Sequence, residues 1–378
     1  MKKNSKLLNF YCIIILLLMF TSIFAFVIDS KTVYGAAQEP TENNWGLYNA
    51  KVFEAQRITK GSAEVNVGII DGGISEHPML RGAIDEDLSK SFVKGFSAFV
   101  DNTGHGTFIA GMIASQLNES LGMGGVAPNV KLVSLKISNT DHWNLDYVID
   151  AINYATYTLK DDVNSNDIAI LNYSGGGVLR SYSPYIVSLK EAIEDYCNEG
   201  GLLIVAAGNS AMDIDGTIYY PAAYDLDEEY LDWQNKDSMI SVGAIKSNNQ
   251  LPTVNDWGYD YANEPMGSNW GEKSVDLFAP GDNVYSTVKN GGYDKNSGTS
   301  FAAPFVTGVA ALLKSINPAL TGIQMKEIIL DTVDEVNSLS GLCVTGGKLN
   351  ALRAVNSIAY DYDAATSTIT EPGRICLT

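Results

Sequence analysis

Four stretches of this chain are nearly continuous in aliphatic residues: V-N-V-G-I-I-D (65–71), I-A-I-L-N-Y-S (168–174), L-L-I-V-A-A-G (202–208) and M-I-S-V-G-A-I (239–245). Short apolar runs without alternation predict strands covered on both faces, the pattern of a buried parallel sheet. Between them the period changes. In L-D-Y-V-I-D-A-I-N-Y-A (145–155) and P-Y-I-V-S-L-K-E-A-I-E-D-Y (184–196) the spacing is helical, and Ile186, Leu189 and Ile193 share one face. F-A-A-P-F-V-T-G-V-A-A-L-L (301–313) is apolar all round and predicts a helix buried on every side. Pro304 belongs in a first turn, which places Ser300 at that helix's N-terminus. Strands alternating with helices predict an α/β fold: a mostly parallel central sheet with helices on both faces. Residues 209–238 and 246–274, rich in Asp, Asn, Tyr and Gly, predict loops, and 361–378 a polar tail.

The N-terminus departs from this rhythm. M-K-K-N-S-K precedes the apolar L-L-N-F-Y-C-I-I-I-L-L-L-M-F-T-S-I-F-A-F-V-I, followed by T-V-Y-G-A-A. A basic start, an apolar run and small residues predict an export signal over 1–36, cleaved near Gly35 to Ala37. The run is long enough that an uncleaved membrane anchor is the alternative. Either way the remainder is expected outside the cytoplasm, secreted or surface-anchored.

Composition narrows the partners. The net charge is −19 over 378 residues, and the signal region holds lysines at 2, 3, 6 and 31 against Asp29 alone, so the remainder is more acidic still. Such a surface repels nucleic acid and anionic membranes. Of the four cysteines, Cys12 lies in the signal; Cys197, Cys343 and Cys376 allow one disulfide, such as Cys343 to Cys376, or none. With three histidines and no finger spacing, a zinc site is not expected. The chain is expected to be a monomer.

Chemistry concentrates where strands end, the edge at which open α/β sheets place functional residues. Asp71 closes the first strand ahead of two glycines. His105 sits in N-T-G-H-G-T-F-I-A-G-M-I-A-S (102–115), where a loop becomes a helix. Ser300 stands at a helix N-terminus, whose amides and dipole favour negative charge. Asn209 ends A-A-G-N (206–209). Singly, each has a structural explanation as a turn, a core histidine or a cap. Together an acid, a histidine and a serine suggest nucleophilic catalysis.

At these motifs the sequence resembles the subtilisin-like serine peptidases. D-G-G-I, H-G-T-F-I-A-G, G-G-V-A-P (124–128), S-G-G-G (174–177), V-A-A-G-N (205–209), Y-P-A (220–222), S-V-G-A (241–244), A-P-G (279–281) and G-T-S-F-A-A-P occur in family order over 45–360. The resemblance implies a catalytic domain there and a triad of Asp71, His105 and Ser300, with Asn209 in the oxyanion hole. It implies a peptide or protein substrate paired as a strand to Ser174-Gly175-Gly176, with His142-Trp143-Asn144 as the opposing edge and Tyr219 and Tyr220 near the floor of the main specificity pocket. No cofactor is required for this chemistry.

There are departures. Gly72 stands where the family mostly carries a hydroxyl residue, and Phe108 where many members have a second histidine. The loop 116–128 resembles one that wraps calcium, with Glu119 as candidate ligand, but the partner carboxylate after His77-Pro78 is replaced by Met79. Residues 37–44 are too few for a folded pro-domain, which predicts an enzyme that folds without an attached chaperone. Two substrate ranges follow: general extracellular proteolysis, or maturation of one exported peptide. An inactive binding protein of this fold is the alternative from another class. An α/β-hydrolase esterase fails, because Gly298-Thr299-Ser300-Phe301-Ala302 lacks the second glycine and the acid comes first in the chain.

Overall fold

The structure is a computed structural model that describes residues 41–118, 120–140, 143–160, 167–178, 184–217, 219–223 and 238–359, with the pairs 362–363 and 368–369. The segment read as an export signal, Glu119, His142, Cys376 and most of the polar tail lie outside the described residues.

In chain order the strands are β1 (Asn66–Asp71), β2 (Lys90–Ser91), β3 (Lys131–Lys136), β4 (Ile170–Tyr173), β5 (Gly177–Val178), β6 (Leu202–Ala206), β7 (Tyr219–Tyr220), β8 (Met239–Ile245), β9 (Leu277–Pro280), β10 (Val284–Val288), β11 (Gly292–Asn296), β12 (Asp334–Glu335) and β13 (Gly347–Lys348). Nine form one sheet in the order β12-β13-β9-β8-β6-β4-β1-β3-β2, parallel throughout except at the β12–β13 end. The four apolar runs are β1, β4, β6 and β8. Only Asn66, Asp71, Asn172 and Ser241 interrupt their apolar character, and every residue in them is buried. The principal helices are α1 (His105–Ala114), α2 (Leu145–Lys160), α3 (Pro184–Asn198), α4 (Thr299–Ile316), α5 (Gly322–Asp331) and α6 (Ala351–Ala359).

Strand geometry divides the core in two. Leu202 and Ile204 of β6 face the layer containing α1, α4, α5 and α6. Leu203 and Val205 face the layer of α2 and α3. Successive side chains on a strand alternate faces, so unbroken apolar runs fill both layers. α4 meets the length and hydropathy of a membrane span, but it is a core helix, buried between the sheet and α1. The region predicted as loop at 209–238 contains β7, which pairs antiparallel with β5.

The sheet order positions the site. The chain steps from β1 to β3 on one side, then returns to β4 on the other side of β1. Loops leaving β1 and β4 therefore diverge around a crevice at the carboxyl edge, the usual ligand position in an open α/β sheet.

Candidate active site

Asp71 is the last residue of β1 and is only 1% exposed. Its Oδ1 accepts the Gly72 N–H at 2.6 Å, and its Oδ2 lies 2.7 Å from His105 Nδ1. This contact assigns the proton to Nδ1 and leaves Nε2 as the basic nitrogen. The approach depends on Gly106: a Cβ there would fall 2.2 Å from the Gly73 carbonyl oxygen and 3.1 Å from Asp71. The glycine after the histidine lets α1 dock on the end of β1.

Two residues that the sequence does not single out hold this corner. Asp101, 3% exposed, accepts the Gly104 and Thr107 N–H groups, each at 2.8 Å, and the Thr107 hydroxyl at 2.7 Å. It thereby caps α1 and fixes where the helix bearing His105 begins. Lys136, the last residue of β3, is fully buried and donates to the carbonyls of Gly72 and Val100. Burial pushes its ammonium pKa down, while the charges of Asp101 and Asp71 act in the opposite direction.

Ser300 is the second residue of α4, so its position at a helix N-terminus is as expected, but Pro304 is not in the first turn. Starting at Thr299, the helix reaches Pro304 in its second turn. Proline has no N–H for the carbonyl four residues back, which is that of Ser300. Ser174 takes the place of that donor: its hydroxyl donates to the Ser300 carbonyl at 2.9 Å. In turn the Ser300 hydroxyl donates to the Ser174 carbonyl at 3.1 Å. Behind Ser174, Asn172 Nδ2 donates to its Oγ at 2.8 Å, and the Thr307 hydroxyl donates to Asn172 Oδ1 at 2.8 Å. Proline inside an apolar helix, together with a serine at a strand end, is the signal in the sequence for this contact.

Asn209 approaches from the end of β6. Its Oδ1 accepts both the N–H and the hydroxyl of Thr299, at 2.8 and 2.9 Å, and Thr299 Oγ1 accepts the Gly208 N–H. With the oxygen committed, the Nδ2 hydrogens are the part of the amide left to donate, one residue from Ser300.

His105, Trp143, Tyr173, Ser174, Gly175, Gly176 and Ser300 line one cleft of about 470 Å³. Trp143 lies across Gly175 so closely that a Cβ there would sit 1.9 Å from its ring. It meets His105 edge-on at 6.0 Å, and Phe301 flanks the imidazole at 5.4 Å. Tyr173 beneath is fully buried, and burial, with Asp71 and Tyr219 nearby, pushes its phenol pKa up. The fold thus brings together Asp71, His105, Ser300, Ser174, Gly175, Gly176 and Trp143, with Asn209 joined through Thr299.

In the loop 116–123, Asn43 Nδ2 donates to the Leu121 carbonyl at 3.1 Å, and the Gln116 N–H donates to the Met79 carbonyl at 3.1 Å. Among the described residues no cluster of three or more His, Cys, Asp or Glu side chains could hold a metal. Cys343 is buried, with its sulfur against Thr345 Oγ1 and the Gly347 carbonyl.

A family model described as "Subtilase family" matches residues 62–353, well over half the chain. The chain belongs to the subtilase family. It is 33% identical over 294 residues to Subtilisin DY of Bacillus licheniformis, covering 76% of this chain and 90% of that one. To Subtilisin Savinase of Lederbergia lenta it is 30% identical over 297 residues, covering 78% and 92%. Against an alkaline protease of Alkalihalobacillus alcalophilus the identity is 31%, covering 78% of this chain and 65% of that one. A solved structure described as "Structural basis of subtilase cytotoxin SubAB assembly" matches in fold with a TM-score of 0.66 at 24% identity, over 85% of this chain and 97% of that one. This subtilase is a subtilisin-like serine peptidase.

Proposed function

We propose that this subtilase is an extracellular endopeptidase in which Asp71, His105 and Ser300 act as the catalytic triad and Asn209 donates to the oxyanion. The observation that carries the reading is the 2.7 Å contact from buried Asp71 to His105 Nδ1, with His105 and Ser300 lining one cleft. Ser300 Oγ attacks the substrate carbonyl and its proton passes to His105 Nε2, while Asp71 stabilises the imidazolium. The tetrahedral oxyanion takes hydrogen bonds from Asn209 Nδ2 and the Ser300 N–H at the start of α4. Collapse expels the amine, protonated by His105, and water then enters by the same route to release the acid. Substrate lies as an added strand along Ser174-Gly175-Gly176. The export-type N-terminus and the acidic composition support action outside the cytoplasm.

The test is stoichiometric labelling with a fluorophosphonate of the protein expressed from the full chain, beside Ser300→Ala and His105→Ala. Labelling near one per chain, lost in both variants, is the expected result. A folded protein that takes up no probe and cuts no peptide overturns the reading in favour of an inactive binding protein of the same fold.

A further inference from the structure

Resting on the function just proposed, a second feature of the cleft concerns which bonds are cut. We infer that Tyr219 closes the space that would receive the side chain of the residue whose carbonyl Ser300 attacks, so that the enzyme cuts after glycine, alanine or serine and discriminates against large side chains there.

The geometry begins with β7. Val178 of β5 is the register partner of Tyr219, so the Tyr219 backbone starts beside the edge that continues from Ser174-Gly175-Gly176. Its phenol ends on the other side, under the end of β6. A Cβ placed on Gly208 would lie 2.1 Å from the phenol oxygen and 2.3 Å from its ring carbon. The tyrosine therefore spans from one wall to the other, between the substrate-pairing edge and the strand end that bears Asn209. It is 7% exposed.

A reacting carbonyl held between Ser300 Oγ and Asn209 Nδ2, on a backbone paired with Ser174–Gly176, directs its own side chain into this gap. The preceding side chain goes to the opposite wall, because neighbouring positions of an extended strand face opposite ways. On this inference a phenol in the gap takes the space that a large side chain would need and leaves room for a hydrogen, a methyl or a hydroxymethyl group. The 470 Å³ cleft is lined on this side by Tyr220 and Pro221 and does not extend between Tyr219 and residues 207–210.

The tyrosine's phenol oxygen is set among polar groups. The Asn209 N–H and the side chains of Ser210 and Asn269 face its phenol oxygen. Asn269 is itself fully buried, accepting the Ser210 N–H at 2.9 Å and donating to the Ala207 carbonyl at 2.9 Å. Gly208 has φ +100°, a conformation that favours glycine, and it supplies the clearance for the ring. A bulky substrate side chain has to displace a ring packed against the segment that carries the oxyanion donor.

The experiment compares four-residue peptide 4-nitroanilides that differ only in the last residue: Gly, Ala, Ser, Leu and Phe. Active sites are counted with the fluorophosphonate. The native enzyme is expected to favour Ala over Phe in kcat/KM by on the order of a hundredfold, the size of a steric exclusion. Tyr219→Ala shifts that ratio toward Phe by tenfold or more, whereas Tyr219→Phe, which keeps the ring, keeps the native order. Native preference for Leu or Phe overturns the inference, as does an unchanged ratio in Tyr219→Ala with a full active-site count. Should Tyr219→Ala fail to fold, Tyr219→Val and the native ratio decide in its place. If the native protein neither labels nor cuts, the underlying function has failed; if it labels and cuts after Phe, the inference alone has.

Discussion

Replacing Ser174 by alanine removes a hydroxyl that stands in for a missing helix donor, and the consequence can be sized. Asn172, fully buried, loses the acceptor of its Nδ2, and the Ser300 carbonyl loses the donor that Pro304 cannot supply. Each buried polar group left without a partner costs about 1–3 kcal/mol, so Ser174→Ala, which orphans two, is expected to cost roughly 2–6 kcal/mol. The companion change separates this from a simple packing loss. Pro304→Ala restores an N–H placed to donate to the Ser300 carbonyl in α4. In the Ser174→Ala background that N–H has an orphan to satisfy; in the native background the carbonyl already has Ser174. The double variant is therefore expected to be more stable than the sum of the singles by about 1 kcal/mol. Urea unfolding of all four proteins, carried in a Ser300→Ala background to prevent autolysis, reads this as a non-additive shift in midpoint at constant slope. Additivity to within about 0.3 kcal/mol would show that the Ser174 hydroxyl is not substituting for the helix bond.

Two further outcomes follow from the same geometry. Gly106→Ala places a methyl 2.2 Å from the Gly73 carbonyl, so the start of α1 must retreat from Asp71; a fall in kcat on the order of a hundredfold is expected, and native kcat would disprove the close docking. Tyr173, Tyr196 and Tyr219 all have phenol pKa values raised by burial above 10.0, so above pH 10 the unfolded chain loses three protons that the folded one keeps. Each phenol is then expected to withdraw up to about 1.4 kcal/mol of stability per pH unit as pH rises from 10 toward its folded-state value. Lys136, Lys314 and Lys348, whose pKa values burial lowers, oppose this in part; a Tyr196→Phe protein that loses stability as steeply as the native one from pH 10 to 11 would contradict the reasoning.

The parts legible in the sequence are those governed by short-range rules. β1, β4, β6 and β8 emerge from unbroken aliphatic runs because both faces of each strand are covered. Asp71, His105, Ser300 and Asn209 stand out only together, as an acid, a histidine, a serine and an amide at strand and helix ends inside motifs that resemble those of the subtilisin-like peptidases. What escapes depends on contacts between distant segments. Asp101 looks like any loop acid until α1 folds back and presents its N–H groups. Lys136 looks like a strand-end cation bound for solvent, yet two carbonyls from other loops draw it inward. Pro304 reads as a first-turn proline, one turn too early; the proline and a strand-end serine are both visible in the sequence, but only the fold pairs Ser174 with the carbonyl that Pro304 leaves open. Tyr219 is put near the pocket floor by the resemblance alone, in a stretch that otherwise reads as loop, and the approach of its ring to the end of β6 is visible only in the fold.

These long-range contacts share a purpose. Asp71 and Asp101 are buried charges of the same sign, one at the turn after β1 and the other at the start of α1, and such a pair is costly without a nearby cation. Lys136 supplies it, donating to the Gly72 and Val100 carbonyls next to each acid in sequence rather than bonding to a carboxylate head-on. The acids therefore keep their oxygens for other partners, Asp101 for the amides of α1 and Asp71 for His105. A lysine bonded directly to Asp71 would compete with the imidazole for the same carboxylate. Placed behind the turn, it offsets the charge while leaving the 2.7 Å contact intact, and it holds the Gly72 and Val100 segments in the arrangement against which α1 docks. The electrostatics of the site and the packing of its loops are in this sense one structural solution.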